Sequence, residues 1–286
     1  MKGVIIAAGY GARFLPWTKT LPKEMLPLVN RPSLDLIVEE FLASGITEIL
    51  FVTSRRKKAL EDYFDREVEL DGFFRGKADA KRLAMAQPSR AKCFFVRQHE
   101  MRGTGHALLA ARPFVGKEPF VVAYPDDIHM GEKPLAAQLI DTYGETGCSV
   151  LAAIHDPPGI NRYGVLSIAP DGLHVTGIVE KPPKGAEPSR EASIGRYLYA
   201  PDFLDQLERE WEHGGKTHEE FWHAPALIAL AKKNRVVYKR VEGERLDTGE
   251  PAGYIDAFIR YAQSLPEFSG AVDAAIDAAL ERRSKA

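Results

Sequence analysis

Gly3-Val4-Ile5-Ile6-Ala7-Ala8-Gly9-Tyr10-Gly11-Ala12-Arg13 opens the chain and decides how the rest is read. Residues Gly3–Ala8 are a short, unbroken apolar run, the pattern of a β-strand covered on both faces. Glycines follow at once. Just past the C-terminal end of a strand, Gly9 and Gly11 let consecutive backbone N–H groups approach an anion. In an open α/β sheet that end of the strands is where ligands bind. Arg13, Lys19 and Lys23 add fixed positive charge suited to a triphosphate. A Walker-type loop is excluded, because no Gly-Lys-Ser/Thr ending is present. A dinucleotide loop is excluded as well: Phe14 stands where its third glycine belongs, and Pro16 and Pro22 break the helix it requires.

Working outward, apolar runs alternate with amphipathic stretches. The pattern predicts a helix over Leu34–Ser44, stopped by Gly45, and strands at Ile49–Thr53, Lys92–Val96, Phe120–Tyr124 and Cys148–Ile154. Helices are expected around Lys57–Phe64, Ala107–Ala111 and Leu135–Tyr143, and Asp65–Arg90 reads as a helical excursion over the surface. This repetition argues for a Rossmann-like α/β fold, an open, mixed, mostly parallel sheet flanked by helices. Beyond residue 155 short strands (Gly164–Ile168, His174–Val179, Ile194–Tyr199, Arg235–Tyr238) are separated by Pro and Gly clusters. Helices are expected at Phe203–Glu210, Pro225–Lys233 and Tyr254–Leu265, and an Ala-rich amphipathic one at Ala271–Lys285 that needs a surface to pack on. No linker divides the chain. The expectation is one domain over residues 1–286, whose second half (156–286) adds to the sheet begun by the first (1–155) and closes over the site.

Composition narrows the function classes. A net charge of −2 suggests no global attraction to nucleic acid or anionic membrane, so phosphate binding must be local. Two cysteines, Cys93 and Cys148, are too few for a disulfide scaffold or a cysteine-rich metal site and read as buried thiols. The first apolar run is too short for a membrane span and reads as a strand rather than a signal peptide, so a cytoplasmic location is expected.

From Gly9 to Pro27 the spacing is G-x-G-x-R-x-x-P-x-T-x-x-x-P-K-E-M-L-P, with Thr18 at the threonine. This resembles the signature loop of the sugar-1-phosphate nucleotidyltransferases, and its KEML wording is closest to the bacterial uridylyltransferases that use UTP and glucose 1-phosphate. The resemblance runs from Val4 to about Ala257. It implies a loop wrapped around the nucleotide's phosphates, with Arg13 and Lys23 on the triphosphate. Ala7, Ala8, Gly9 and Gly11 then line the nucleotide, Ala8 and Gly9 at the base or ribose. One departure is Ala12, where the family usually has threonine.

Gln98, at a strand end, is followed by Gly103-Thr104-Gly105-His106. An amide both donates and accepts, matching a pyrimidine edge. The Q-x-x-x-x-G-x-G-H spacing resembles the uridylyltransferases and assigns Gln98 and Gly103 to uracil, while His106 is open between a ligand contact and a plain helix start. No Ser/His/Asp or Cys/His arrangement is visible, and none is needed. In-line attack of a sugar phosphate on the α-phosphorus requires alignment and charge neutralisation. The resemblance implies magnesium (Mg2+) held by Asp126, after the strand ending in Pro125, and by Asp247 in Arg245-Leu246-Asp247-Thr248-Gly249. Asp127 competes with Asp126, but neighbours on an extended segment point oppositely, so only one is expected to face the site. Val179-Glu180-Lys181-Pro182 resembles the family's sugar motif: Glu180 binds glucose and Lys181 its phosphate, with Gly164, Gly195 and Arg196 in matching sugar-side pieces. Arg13, Lys23, Asp126 and Lys181 are thus the expected catalytic set.

The match weakens at Glu220-Phe221-Trp222-His223-Ala224-Pro225-Ala226. The family carries E-x-Q-L-T-D-A there, near the sugar and a subunit contact, and cysteine in place of Thr248. Trp222 reads as a core residue, with a sugar-stacking platform as the alternative. Partners implied are UTP, glucose 1-phosphate and further copies of the chain (dimer or tetramer), with neither nucleic acid nor membrane. Competing readings are a thymidylyl- or cytidylyltransferase and a non-catalytic sugar-nucleotide-binding regulator.

Overall fold

The opening apolar run forms β1 (Lys2–Ile6), and the computed structural model describes residues 1–77 and 79–285. A small hairpin, β2 (Pro27–Leu28) and β3 (Arg31–Pro32), leads into α1 (Ser33–Ala43). Then follow β4 (Glu48–Thr53), α2 (Lys58–Phe64), α3 (Val68–Gly76), α4 (Ala80–Met85) and β5 (Lys92–Arg97). The helical excursion expected over Asp65–Arg90 is α3 and α4, with residue 78 outside the described residues. Next come α5 (Gly103–Leu109), α6 (Arg112–Val115), β6 (Phe120–Ala123), β7 (Asp127–Met130), α7 (Leu135–Thr146) and β8 (Ser149–His155). The second half comprises β9 (Gly164–Ile168), β10 (Val175–Glu180), β11 (Glu191–Tyr199), α8 (Asp202–Glu212) and α9 (Ala224–Ala231). It closes with β12 (Val236–Arg240), β13 (Glu244–Asp247), α10 (Pro251–Ser264) and α11 (Ser269–Ser284).

One mixed sheet runs through both halves in the order β10-β9-β11-β6-β1-β4-β5, with β8 paired to β11 and β12. β6, β1, β4 and β5 are parallel neighbours, so their C-terminal ends and the loops that follow lie along one edge. β11 enters antiparallel to β6 and carries the sheet into the second half. β1 shows why an unbroken apolar run was needed. Val4 and Ile6 pack on one face with Leu108, Phe203 and Leu227, while Ile5 and Ala7 pack on the other with Leu34, Phe41 and Leu139. Successive side chains alternate between faces and both faces are covered, so no position can be polar. Full burial of such a side chain contributes roughly 1.5–3 kcal/mol. Gly3 lacks a side chain for a spatial reason: a Cβ there would stand 2.5 Å from the Phe41 ring.

Two features depart from the sequence reading. β7 and β13 form a separate two-stranded antiparallel sheet, aligning Asp127 with Asp247, which neither stretch announces in its own residues. The C-terminal helix α11 has no buried residue; Ile276 and Leu280 are 36% and 57% exposed, so the expected amphipathic packing face is absent. The helix folds back on α10 through Gln263, whose amide donates to Asp273 at 3.0 Å. The two cysteines are free, Cys148 buried and Cys93 only half-buried. Among the described residues no helix is long and apolar enough to cross a membrane.

Candidate active site

The glycine loop continues from β1 along the edge where the parallel strands end. Its prolines act as the sequence demands: the segment makes only single 3-10 turns, at Ala12–Phe14, Trp17–Lys19 and Lys23–Met25. Gly11 sits at φ +68°, and its carbonyl accepts a 2.8 Å hydrogen bond from Thr18. The loop is pinned from below. Lys57, after β4, reaches Glu24 at 2.6 Å, with both side chains almost fully buried, and Arg56 donates to the carbonyls of Thr18 and Lys19 at 3.1 Å. Burial lowers the Lys57 pKa despite that partner.

Lys23 and Arg13 project from the loop toward the acidic pair expected to hold metal. Lys23 Nζ lies 2.6 Å from Asp126 Oδ2, and Arg13 Nη1 reaches the Gly249 carbonyl at 3.4 Å. Burial works against the lysine's charge, but Asp126 outweighs it and raises the Lys23 pKa. Burial likewise works against the Asp126 carboxylate, and Lys23 reverses that, holding its pKa below the ordinary range. Asp247 comes to the same place through β13. A Cβ on Gly249 would meet Asp126 Oδ2 at 3.0 Å and Asp247 Oδ1 at 3.1 Å, so the two carboxylates converge where Gly249 leaves room. Among the described residues no cluster of three or more His, Cys, Asp or Glu side chains could hold a metal. Two converging carboxylates nevertheless suit magnesium, which binds few protein oxygens and keeps water.

Asp127 is turned away from this point, as the alternation of an extended segment requires. Its Oδ2 accepts the Gly195 N–H at 2.6 Å, its Oδ1 pairs with Arg245, and burial raises its pKa despite that guanidinium. Arg245 itself was missed by the sequence reading. It pairs with Asp127, donates to Asp247 Oδ2 at 3.1 Å and to the Tyr163 hydroxyl at 3.1 Å, and so orients the second carboxylate of the converging pair. The signal was present: Arg245 and Asp247 are two apart on a strand and share a face.

A cavity of about 300 Å³ opens beside Lys23 and Asp126, lined also by Ala8, Gly9, Gln98 and Gly103. Six of the residues expected at the nucleotide (Ala8, Gly9, Lys23, Gln98, Gly103 and Asp126) thus share one cavity, whereas Ala7, Gly11 and Arg13 are not part of its lining. Gln98 is buried, and its amide nitrogen donates to the Gly103 carbonyl at 3.1 Å. Gly103 and Gly105 have a steric reason to be glycine. A Cβ on Gly103 (φ +88°) would stand 2.6 Å from the Phe221 carbonyl oxygen, and one on Gly105 2.7 Å from the Phe221 ring. Phe221 is thus a plug beneath the Gly103–Gly105 loop, held by hydrogen bonds from its N–H to Arg102 O (2.7 Å) and from Gly105 N–H to its carbonyl (2.9 Å).

The sugar-side residues divide. Gly164 faces Glu180 across the β9–β10 pair, and a Cβ on it would meet Glu180 Oε2 at 2.9 Å. Lys181, at φ +47°, turns the chain there, its N–H donating to Tyr163 O at 3.0 Å. Both Glu180 and Lys181 are exposed and lie outside the cavity lining. The assignments of Gly195 and Arg196 to the sugar phosphate are corrected by the structure. Gly195 is pressed against Asp127, which takes its N–H, while Tyr124 takes its carbonyl. Arg196 is fully buried, bound to Glu40 at 2.8 Å and to the Asp127 carbonyl at 3.1 Å. Both support the site from underneath. Trp222 is 51% exposed, which overturns its reading as core. Its neighbour His223 is the inward residue, its Nδ1 hydrogen-bonded to the Thr104 hydroxyl at 2.8 Å and its pKa pushed down to about 4 by burial.

With this geometry in hand, the chain's relatives can be set beside it. Residues 2–264 match the family model described as nucleotidyl transferase. A UTP–glucose-1-phosphate uridylyltransferase of Staphylococcus epidermidis is 41% identical over 274 residues, 94% of each chain. A second, from Staphylococcus saprophyticus, is 40% identical over 267 residues, 91% of each chain. Among solved structures the UTP-bound enzyme of Acinetobacter baumannii is similar, with a TM-score of 0.86 at 31% identity over 96% of this chain and 98% of that one.

Proposed function

The chain belongs to the nucleotidyl transferase family, and on that premise we propose that it transfers a uridylyl group from UTP to glucose 1-phosphate. A phosphate oxygen of the sugar attacks the α-phosphorus in line, the new O–P bond forms as the bond to the β-phosphate bridge breaks, and UDP-glucose and pyrophosphate leave. No covalent enzyme intermediate is required. The convergence of Asp126 and Asp247 at Gly249, with Lys23 bound to Asp126 and both lining the cavity that also contains Gln98, carries this reading.

Each residue has a distinct task in it. The glycine loop at Ala7, Ala8, Gly9 and Gly11 receives the nucleotide, and Arg13 and Lys23 neutralise the triphosphate where charge develops. Gln98 and Gly103 read the base. Glu180 accepts hydrogen bonds from sugar hydroxyls next to Gly164, and Lys181 holds the sugar phosphate as a point charge. Asp126 and Asp247 would hold magnesium, which when bound neutralises the transferring phosphate and fixes its orientation. Lys23 then exchanges its Asp126 partner for phosphate oxygens. A cytoplasmic homo-oligomer, dimer or tetramer, is part of the proposal; exposed Ile255, Phe258 and Leu280 on α10 and α11 support self-association.

The test is magnesium-dependent pyrophosphate release, with UTP, dTTP and CTP each offered alongside glucose 1-phosphate. Release with UTP well above the other two is expected. Silence with all three would refute glucose 1-phosphate as the acceptor, and faster release with dTTP or CTP would refute the base.

A further inference from the structure

The Gln98 amide nitrogen has two hydrogens and two acceptors, the Gly103 carbonyl at 3.1 Å and His106 Nδ1 at 3.2 Å. A carbonyl only accepts, so the atom facing Gly103 is the nitrogen and the amide orientation is fixed on chemical grounds. The second hydrogen meets His106 Nδ1, which must be bare, so this imidazole carries its proton on Nε2. Gly103 holds a left-handed backbone (φ +88°), with the Phe221 backbone filling the space a side chain would need. The His106 ring is steadied in turn by Trp211, 5.4 Å away, over which the Arg102 guanidinium lies at 4.7 Å.

The amide nitrogen is therefore saturated. Among the described residues nothing donates to Gln98 Oε1, so the side chain offers the cavity an acceptor alone. Uracil and thymine carry an N3–H that donates to such an acceptor. Cytosine has an unprotonated N3 at the same place, and two lone pairs would face each other. We propose that His106 is a positioning residue that fixes the Gln98 amide, so that the site accepts imide pyrimidines and rejects cytosine. His106 acts without touching the base, and the inference rests on the reading of Gln98 as the base-reading residue.

The test compares KM and kcat for UTP and CTP in the wild-type enzyme and in His106→Ala, His106→Asn and Gln98→Ala. Loss of a partner that satisfies a buried polar group is felt about tenfold or more. His106→Ala is expected to raise KM for UTP about tenfold, with kcat little changed, and to lower the CTP-to-UTP KM ratio by a similar factor. His106→Asn, whose Oδ1 replaces the Nδ1 acceptor, is expected to restore the ratio; a purely structural role for the ring would not produce that rescue. A His106→Ala ratio equal to wild type, while Gln98→Ala raises KM for UTP, overturns the role of His106 alone. A Gln98→Ala enzyme with unchanged KM for UTP overturns the base reading and this inference with it.

Discussion

The two halves of the site are held in different ways. On the proposed nucleotide side the main side chains are already paired: Glu24 with Lys57 in the interior, Asp126 with Lys23, and the Gln98 amide nitrogen with Gly103 and His106. On the proposed sugar side Glu180 and Lys181 stand exposed at the end of the β9–β10 hairpin, where among the described residues only a backbone hydrogen bond fixes the lysine's position. A ligand binding to the first region meets donors already oriented and loses little entropy in ordering them. A ligand at the second must order two flexible side chains itself. The difference suits an enzyme whose larger, more highly charged substrate is received by a rigid cradle.

The largest effect should come from Lys57→Met. Removing one partner of a buried ion pair leaves the Glu24 charge uncompensated and costs roughly 3–5 kcal/mol. A clear fall in the unfolding temperature by calorimetry is expected; an unchanged one would mean that the cradle does not depend on this pair. Next, Lys181→Ala should raise KM for glucose 1-phosphate by roughly 10–100-fold, the worth of a hydrogen bond to a charged group, with KM for UTP within about twofold. Equal losses for both substrates would erase the division between the halves. Trp222→Ala should be the mildest: an exposed side chain away from buried contacts changes stability by less than about 0.5 kcal/mol. A large rise in KM for the sugar phosphate in that variant would sharpen the comparison by giving the sugar side an aromatic wall.

The strands of the first half were legible because both faces of the sheet are covered, which forces runs such as Val4-Ile5-Ile6 to be apolar throughout. The bent glycine loop was legible because its signals are local: glycines, prolines and cations lie within twenty residues of one strand end. What failed depended on partners far away. Arg196 looks like a ligand-binding cation until Glu40 appears beside it, 156 residues earlier in the chain. Its neighbours Ile194, Tyr197 and Leu198 are buried, but a pattern of apolar neighbours does not say which charge will meet the guanidinium. Arg245 was passed over for the same reason, since its role exists only once β13 has paired with β7. Trp222 was misjudged because aromatic character favours burial, and here Phe221 fills the space and Trp222 is turned out.

The β7–β13 pair also sets when activity can arise during synthesis. Asp127 and Arg245, which this pair brings together, are 118 residues apart, so the ordering of Asp247 beside Asp126 waits for almost the whole polypeptide. Contacts of such long sequence separation form only after the intervening chain has been arranged. A nascent chain that ends after β8 would already carry the glycine loop, Lys23 and Gln98, yet lack one of the two carboxylates that converge at Gly249. If the proposed roles hold, turnover is a property of the finished chain, and a fragment released early carries the groups proposed to receive the nucleotide without the second carboxylate.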